Sequence, residues 1–208
     1  MTLANGLTLL RIALTPVFVV LVMGEDLLSV YAGCLIFVVA SLTDLYDGYV
    51  ARRFGAVSTW GKFLDPLADK ILITAALICL AIQGYVAVWM VVVIAVRDAV
   101  ITGLRSYAMW KRQPVVTMGL ARMKTAAQAL AVYVVMGYML AERTFGGKPW
   151  ASRPLESIHR WGLVDKLMFF VTCLTVITGV LYLIDNRSHV RQVAAALVRA
   201  LIPRGARV

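Results

Sequence analysis

Charged residues are scarce in this sequence, at 15% Asp, Glu, Lys and Arg against about 25% in an average soluble domain. Hydrophobic residues make up 61% of its 208 positions, and the mean hydropathy is +0.82. The apolar residues fall in blocks of about 20, the length at which a helix crosses a bilayer. This composition excludes a soluble globular enzyme and predicts an all-α, polytopic membrane protein.

Cysteine is also rare, because only Cys34, Cys79 and Cys173 are present, and each stands alone inside a hydrophobic segment. Neither a disulfide framework nor a zinc-binding spacing can be built from them. We therefore expect them to be packing residues, either buried or facing lipid.

Six apolar blocks predict six transmembrane helices. They lie near residues 7–24, 27–50, 62–82, 85–107, 120–140 and 163–184. Lys and Arg are concentrated in the connections 51–62 and 105–124 and in the C-terminal tail, so by the positive-inside bias these segments and both termini face the cytoplasm. The connection 141–162 breaks this pattern on the predicted outer side. Its four cations are Arg143, Lys148, Arg153 and Arg160.

A basic tail follows the membrane domain. We predict one domain at residues 1–187 and an amphipathic interfacial tail at 188–208, because apolar residues recur at helical spacing from His189 to Ile202 with arginines between them. The net charge of +10 fits cytoplasmic loops and anionic lipid headgroups. No basic run with interleaved aromatic residues indicates nucleic acid, so we expect the lipid bilayer as a partner and no nucleic acid.

Acidic residues number only eleven, yet four of them stand close together, beside or inside apolar blocks. These four are Asp44, Asp47, Asp65 and Asp69. Spacings of three and four place each pair on one helical stripe, and the short connection between the pairs brings both stripes to the cytoplasmic mouth of one helical hairpin. Carboxylates at such range repel each other and must bind protons or cations. Because no His or Cys accompanies them, they favour Mg²⁺ or Mn²⁺, and two such ions could clamp the phosphates of a nucleotide for displacement at phosphorus.

Small and basic residues share these stripes. Gly48 and Ala51 leave room for a ligand against the helix, and Arg52 offers its guanidinium to a phosphate. The alternative interpretation is a structural ionic collar, in which the four acids pair with neighbouring cations. Those cations are Arg52, Arg53, Lys62 and Lys70.

The full spacing from Asp44 to Asp69 is D-x2-D-G-x2-A-R-x8-G-x3-D-x3-D. It resembles the signature of the CDP-alcohol phosphotransferases, and this resemblance disfavours the ionic collar. Shorter matches resemble the bacterial branch of that family that uses glycerol-3-phosphate. They are N-x-L-T-x-x-R at 5–11, LDPLADK at 64–70, Arg97-Asp98 (with Asp where that branch usually has Glu), Leu104-Arg105 and RMKT at 122–125.

The resemblance implies a six-helix fold in the inner (plasma) membrane of a bacterium, and it suggests a homodimer. It also implies transfer of the phosphatidyl group of CDP-diacylglycerol to an alcohol, with release of CMP. Asp44, Asp47 and Asp65 would bind one divalent ion. Asp44, Asp65 and Asp69 would bind a second, and Asp69 would be the general base that deprotonates the acceptor hydroxyl.

The nucleotide of the donor, by the same resemblance, contacts residues of the motif and of the first helix. In the motif these are Gly48, Ala51, Arg52, Ser58 and Gly61. In the first helix they are Leu7, Thr8 and Leu10.

A phosphorylated acceptor requires a second anion-binding pocket. For glycerol-3-phosphate we expect Arg105, Arg122 and Lys124 to bind the phosphate, because they lie at the predicted cytoplasmic ends of the flanking helices. Asp98 lies seven residues before Arg105, on the same helical face, and we expect these two to pair. The alternative is that these three basic residues are ordinary charges of cytoplasmic loops, as the positive-inside bias predicts, and bind no substrate.

Two other functions remain open from the sequence. Inositol phosphate or serine could replace glycerol-3-phosphate as the acceptor. A small cation transporter could use the aspartates as its binding site, although transporter sites usually lie near the bilayer midplane rather than at one helix end.

Overall fold

The structure is a computed structural model that describes residues 3–54, 61–110, 119–187 and 190. Only the backbone is described at 3–5, 7, 44–54, 61–69, 109–110, 119–122, 149 and 152. Within this part of the chain all regular structure is helical, which confirms the all-α prediction. The helices are α1 (Leu3–Val22), α2 (Leu27–Phe54), α3 (Gly61–Ile82), α4 (Val88–Trp110), α5 (Gly119–Phe145), α6 (Pro149–Arg160) and α7 (Leu163–Asp185). The predicted interfacial tail lies outside the described residues, except for position 190.

Long apolar helices and an apolar exterior indicate a membrane protein. Among the described residues, two segments are long and apolar enough to cross a bilayer, Met123–Phe145 and Leu163–Asp185. Shorter apolar stretches lie at Thr8–Val22, Leu27–Thr43 and Lys70–Ile82. Large apolar side chains cover the outside of the bundle, and an exterior of this kind is stable against lipid rather than water. The number of six spans stays a prediction.

The first helix joins the two helices that contain the aspartate motif, because α1 contacts both α2 and α3. The rings of Phe18 in α1 and Phe37 in α2 lie 5.4 Å apart, centre to centre. Gly33 permits this close approach, since a Cβ there would lie 2.9 Å from the backbone nitrogen of Val22. On the other side, α3 contacts α4, and α7 packs against α4 and α5. One buried apolar core therefore extends through the bundle.

All three cysteines are free thiols inside helices. Cys79 is buried, and Cys34 and Cys173 are half-buried, which fits their predicted role in packing.

Arg143, near the end of α5, forms hydrogen bonds to two turns at one end of the bundle. Its Nη1 donates to the carbonyl oxygen of Gly24 at 3.1 Å, and its Nη2 donates to Oε1 of Gln83 at 2.6 Å. Gly24 lies in the turn between α1 and α2, and Gln83 lies in the turn between α3 and α4. These turns and the end of α5 therefore meet, and the motif-bearing halves of α2 and α3 run toward the opposite end of the bundle.

The 141–162 connection is folded rather than an open loop. Helix α5 continues to Phe145, and α6 occupies Pro149–Arg160. Two of its cations have described partners, because Arg143 bonds the two turns and Nζ of Lys148 lies 5.2 Å from the ring centre of Phe145. Part of the positive charge of this connection is thus engaged within the fold.

Candidate active site

The aspartate motif spans the C-terminal half of α2 and the N-terminal half of α3. Asp44 and Asp47 lie in α2, and Asp65 and Asp69 lie in α3, so each pair occupies adjacent turns of a continuous helix. Their side chains are outside the described part, and the predicted metal geometry stays a prediction. Among the side chains that are described, no group of three or more Asp, Glu, His or Cys could hold a metal ion. The donor set on these two helices is four carboxylates, which fits a hard divalent cation.

The predicted nucleotide contacts in the motif are described by their backbone alone. Gly48, Ala51 and Arg52 lie in α2, and Gly61 is the first residue of α3. Ser58, in the connection between these helices, lies outside the described residues. The helix backbone keeps Gly48, Ala51 and Arg52 on the stripe that the sequence predicts.

In α1 the predicted contacts point in different directions. Thr8 is 1% exposed and Leu10 is 44% exposed, while the side chain of Leu7 is not described. The inward stripe continues from Thr8 through Arg11, which is 1% exposed, to Thr15, whose hydroxyl donates to the carbonyl oxygen of Arg11 at 2.9 Å. Arg11 is the last residue of the N-x-L-T-x-x-R motif, which by itself predicts no role for it in the site. Its signal is a cation inside an apolar helix, because such residues usually have a functional or structural partner.

A buried carboxylate lies at the centre of the described part of the site. Asp98, in α4, is 4% exposed, and Nζ of Lys124, from α5, lies 2.5 Å from its Oδ1. Nη1 of Arg97 lies 3.1 Å from the same oxygen, and Nζ of Lys70, from α3, lies 3.7 Å from Oδ2. We call Lys70, Arg97, Asp98 and Lys124 the Asp98 cluster. It joins three helices around one negative charge.

The Asp98 cluster has an excess of two positive charges, since three cations surround one carboxylate. Gln128, one turn after Lys124 in α5, is buried, and its Oε1 has no hydrogen-bond partner among the described residues. Charges interact strongly where water is excluded, so this cluster favours the approach of an anion. Its chemistry suits a phosphate group better than a metal ion.

Helix α7 supports the cluster through Arg97. Nη2 of Arg97 donates to the hydroxyl of Thr178 at 3.1 Å, and that hydroxyl donates to the carbonyl oxygen of Leu174 at 2.8 Å. Gly179 provides the space, because a Cβ at this position would lie 3.0 Å from Cγ and Nε of Arg97. Arg97 is a second residue whose part in the site the sequence does not predict.

Lys70 connects the cluster to the aspartate motif. It directly follows Asp69 in α3, so the two residues are separated by a rise of about 1.5 Å along the helix axis. Because Lys70 reaches Asp98, the general base that the resemblance predicts lies on the helix that also contributes to the cationic cluster. The predicted metal site and the Asp98 cluster are therefore neighbours along α3.

Of the predicted acceptor residues whose side chains are described, Lys124 lies in the Asp98 cluster and Arg105 does not. Lys124 is buried in the Asp98 cluster, Arg105 is exposed on α4, and the side chain of Arg122 is outside the described part. The predicted pairing of Asp98 with Arg105 is wrong, because the described partners of Asp98 are Lys124, Arg97 and Lys70. Seven residues span about 10 Å along a helix, whereas Lys124 reaches Asp98 from the neighbouring helix.

Known proteins resemble this chain over most of its length. A family model described as CDP-alcohol phosphatidyltransferase matches residues 1–181. A Bacillus subtilis (strain 168) protein named CDP-diacylglycerol--glycerol-3-phosphate 3-phosphatidyltransferase is 35% identical over 196 residues, which cover 88% of this chain and 94% of the relative. A Rickettsia bellii protein of the same name is 33% identical over 181 residues, covering 86% and 92%. A Mycobacterium tuberculosis protein named probable phosphatidylglycerophosphate synthase is 38% identical over 133 residues, covering 62% and 63%.

Proposed function

Because the chain belongs to the CDP-alcohol phosphatidyltransferase family, we propose that it transfers the phosphatidyl group of CDP-diacylglycerol to glycerol-3-phosphate, with release of CMP. The names of relatives at 32–35% identity over most of the chain support both substrates. The observation that supports a phosphorylated acceptor most directly is the Asp98 cluster, whose excess positive charge lies beside the motif-bearing helix α3.

Four aspartates would hold two divalent ions, Mg²⁺ or Mn²⁺. Asp44, Asp47 and Asp65 would bind one, and Asp44, Asp65 and Asp69 the other. When bound, the ions would neutralise the diphosphate and polarise the phosphorus that undergoes attack. The nucleotide would contact Gly48, Ala51, Arg52, Ser58 and Gly61, with Leu7, Thr8 and Leu10 bordering it.

Asp69 would take the proton of the acceptor hydroxyl. The freed oxygen then forms a bond to the phosphorus that bears diacylglycerol, and the bond from that phosphorus to the oxygen of CMP breaks. One P–O bond forms and one breaks, so CMP leaves and the proton stays on Asp69 until solvent removes it. A carboxylate in this position supplies general-base catalysis.

The acceptor phosphate would be bound by Lys124, Arg105 and Arg122. Lys124 is positioned for this by Asp98, which fixes its ammonium group while the cluster as a whole stays positively charged. Inositol phosphate would use the same cations and is the alternative acceptor. Serine has no phosphate and would leave the excess positive charge without a partner. The family match disfavours the cation transporter.

We propose a multi-pass protein of the bacterial inner membrane with six spans. The cationic connections and both termini would lie on the cytoplasmic side, together with the aspartate motif. The bonding of Arg143 within the bundle supports this orientation, since one of the cations on the opposite side is needed by the fold. A homodimer stays a prediction from the family resemblance.

An acceptor screen tests the proposed reaction. Purified protein is supplied with labelled CDP-diacylglycerol and Mg²⁺, and CMP release is measured with glycerol-3-phosphate, inositol phosphate, serine or no acceptor. We expect release above the no-acceptor blank with glycerol-3-phosphate. Release with another alcohol but none with glycerol-3-phosphate would refute the proposed acceptor and leave the transfer reaction standing. If none of the three alcohols gives release above the blank, both the proposed acceptor and the transfer reaction are refuted.

A further inference from the structure

Helix α6 lies at the end of the bundle that is opposite the aspartate motif. It begins four residues after α5 ends, and the end of α5 is fastened to the two turns by Arg143. Along α3, the distance from Asp69 to Gln83 is about 20 Å at 1.5 Å per residue. Helix α6 is therefore too far from the aspartate motif to contact the groups of the proposed reaction. The exposed residues of α6 need another role.

One stripe of α6 packs against the bundle. Ala151 is 3% exposed, and Leu155 and Ile158 follow it at helical spacings of four and three. Leu155 and Ile158 line a groove whose other walls are formed by α5 and α7, including Val134 and Leu167. This packing fixes the rotation of α6 about its own axis, and therefore decides which residues face outward.

Two tryptophans project from one flank of α6. Trp150 is 68% exposed and Trp161 is 66% exposed. They are eleven residues apart, which at 100° per residue places them within about 20° of each other and about 16 Å apart along the axis. Trp161 keeps a right-handed helical conformation, with φ −81° and ψ −5°, although it follows the last residue of α6. The two side chains therefore leave the helix on the same flank.

Two arginines lie on the face away from the packed stripe. Arg153 and Arg160 are seven residues apart, so they too lie within about 20° of each other, and both are exposed. Glu156 lies between them, yet no ion pair joins it to either arginine in the described part of the chain. Both guanidinium groups are therefore available to an external anion.

Other exposed aromatic residues occur at the same end of the bundle. Trp89, in the first turn of α4, is 51% exposed, and Tyr31, in the first two turns of α2, is 40% exposed. Trp and Tyr are enriched at the level of the lipid headgroups, where one part of the ring contacts apolar chains and the other contacts water. The tryptophans of α6 extend this belt of aromatic residues.

We propose that α6 lies in the membrane–water interface, with Trp150 and Trp161 at headgroup depth and with Arg153 and Arg160 bound to the phosphates of anionic phospholipids. At this depth the apolar area of the two tryptophan rings is buried against lipid instead of being exposed to water. The guanidinium groups match phosphate oxygens through paired donors. This surface is separate from the proposed reaction, so either can fail without the other.

Tryptophan quenching tests the depth of α6. A W60F/W89F/W110F background leaves Trp150 and Trp161 as the only tryptophans, and circular dichroism verifies its fold. The protein is reconstituted in phosphatidylcholine vesicles that contain lipids brominated near the headgroup or at mid-chain. We expect headgroup-proximal bromine to quench about twice as strongly as mid-chain bromine, because interfacial rings lie close to the headgroups.

Lipid titration tests the arginines. Phosphatidylserine is the probe because it is neither substrate nor product of the proposed reaction, and its retention by the purified protein is counted by native mass spectrometry. We expect R153Q/R160Q to weaken retention about fivefold for each arginine removed, and R153K/R160K, the matched control, to keep most of it. E156Q, which removes the intervening negative charge, should strengthen retention.

Three results would overturn the proposal. In the first, aqueous iodide quenches both tryptophans and brominated lipid does not, so that α6 faces water. In the second, neither quencher reaches them, which indicates a protein contact such as a second copy of the chain. In the third, R153Q/R160Q retains phosphatidylserine as the wild type does.

Discussion

Lys124 and Asp98 form an ion pair between α5 and α4, with Nζ 2.5 Å from Oδ1 and with both side chains almost fully buried. Asp98 has two further cationic partners, whereas Asp98 is the acidic partner described for Lys124. Removing one member of a buried pair leaves the other charge without compensation, which costs more than removing both. The two residues should therefore behave unequally and non-additively.

A double-mutant cycle tests this relationship. Asp98→Asn leaves three cations around a neutral side chain and should lower the free energy of unfolding by roughly 3–5 kcal/mol. Lys124→Met should cost less, because Arg97 and Lys70 still compensate Asp98. The double variant should cost less than the sum of the single ones by roughly 1–3 kcal/mol, measured by unfolding in lipid nanodiscs.

Kinetics separate positioning from simple stability in the same variants. Asp98→Asn should raise the KM for glycerol-3-phosphate more than the KM for CDP-diacylglycerol, because it disturbs Lys124 in the proposed acceptor pocket. Asp98→Glu keeps the charge and should stay close to wild type. Equal effects of Asp98→Asn on both KM values would show that the pair has only a structural role.

Gly179 tests how tightly Arg97 is held. Gly179→Ala puts a Cβ 3.0 Å from Cγ and Nε of Arg97, so the arginine must shift by a few tenths of an ångström, which strains its hydrogen bond to Thr178. We expect a loss of about 1–3 kcal/mol in unfolding free energy, as for other overpacked positions. Gly137→Ala is the control, because nothing lies within 4 Å of a Cβ there, and it should be neutral or slightly stabilising. Indistinguishable melting temperatures for the two variants would contradict this account.

The helices could be predicted from the sequence where hydrophobicity alone decides them. Each of the six predicted spans falls largely within one of α1–α5 and α7. Helix α6 was missed because it is short and amphipathic, so its apolar residues do not form a block. Its signal was the stripe of Ala151, Leu155 and Ile158, which is weak on its own because short amphipathic stretches are common.

The candidate site could be predicted only where its residues are close in the sequence. The aspartate motif lies on two successive helices, and spacing alone identified it. Asp98 was assigned to the wrong partner because spacing relates residues of one helix, such as Arg105, while Lys124 and Lys70 reach it across helix interfaces. Contacts of that kind depend on tertiary packing, which one sequence does not reveal.

Arg143 should be important for stability and unimportant for chemistry. Arg143→Gln removes donors to the carbonyl oxygen of Gly24 and to Gln83, which fasten two turns to α5. Each hydrogen bond from a charged group is worth roughly 1.5–3 kcal/mol, so the melting temperature should fall while the KM values stay unchanged. Arg187→Gln, which removes an exposed arginine at the other end, is the control and should melt like wild type. A melting temperature that matches this control would show that Arg143 does not hold the turns.

Asp69 is the proposed base, and its replacement should affect turnover far more than the binding of nucleotide or of the first ion. Asp69→Asn keeps the size of the side chain and removes its ability to accept a proton, so turnover should fall by about 10²- to 10⁴-fold or more. Binding of CMP, measured by calorimetry, should persist, and so should binding of Mn²⁺ at the site of Asp44, Asp47 and Asp65, measured by paramagnetic resonance. A rate close to wild type would exclude this role for Asp69.

Asp44 should behave differently, because in the proposal it binds both ions and accepts no proton. Asp44→Asn should therefore raise the Mg²⁺ concentration needed for half-maximal activity or abolish activity altogether, and it should weaken Mn²⁺ binding in the absence of any substrate. Asp165→Asn is the matched control, since it removes an exposed acid from the first turn of α7, at the opposite end of the bundle. It should leave the Mg²⁺ requirement unchanged. If Asp44→Asn binds Mn²⁺ as the wild type does, the carboxylates are not the metal ligands, and a structural collar of ion pairs becomes the better explanation of the motif.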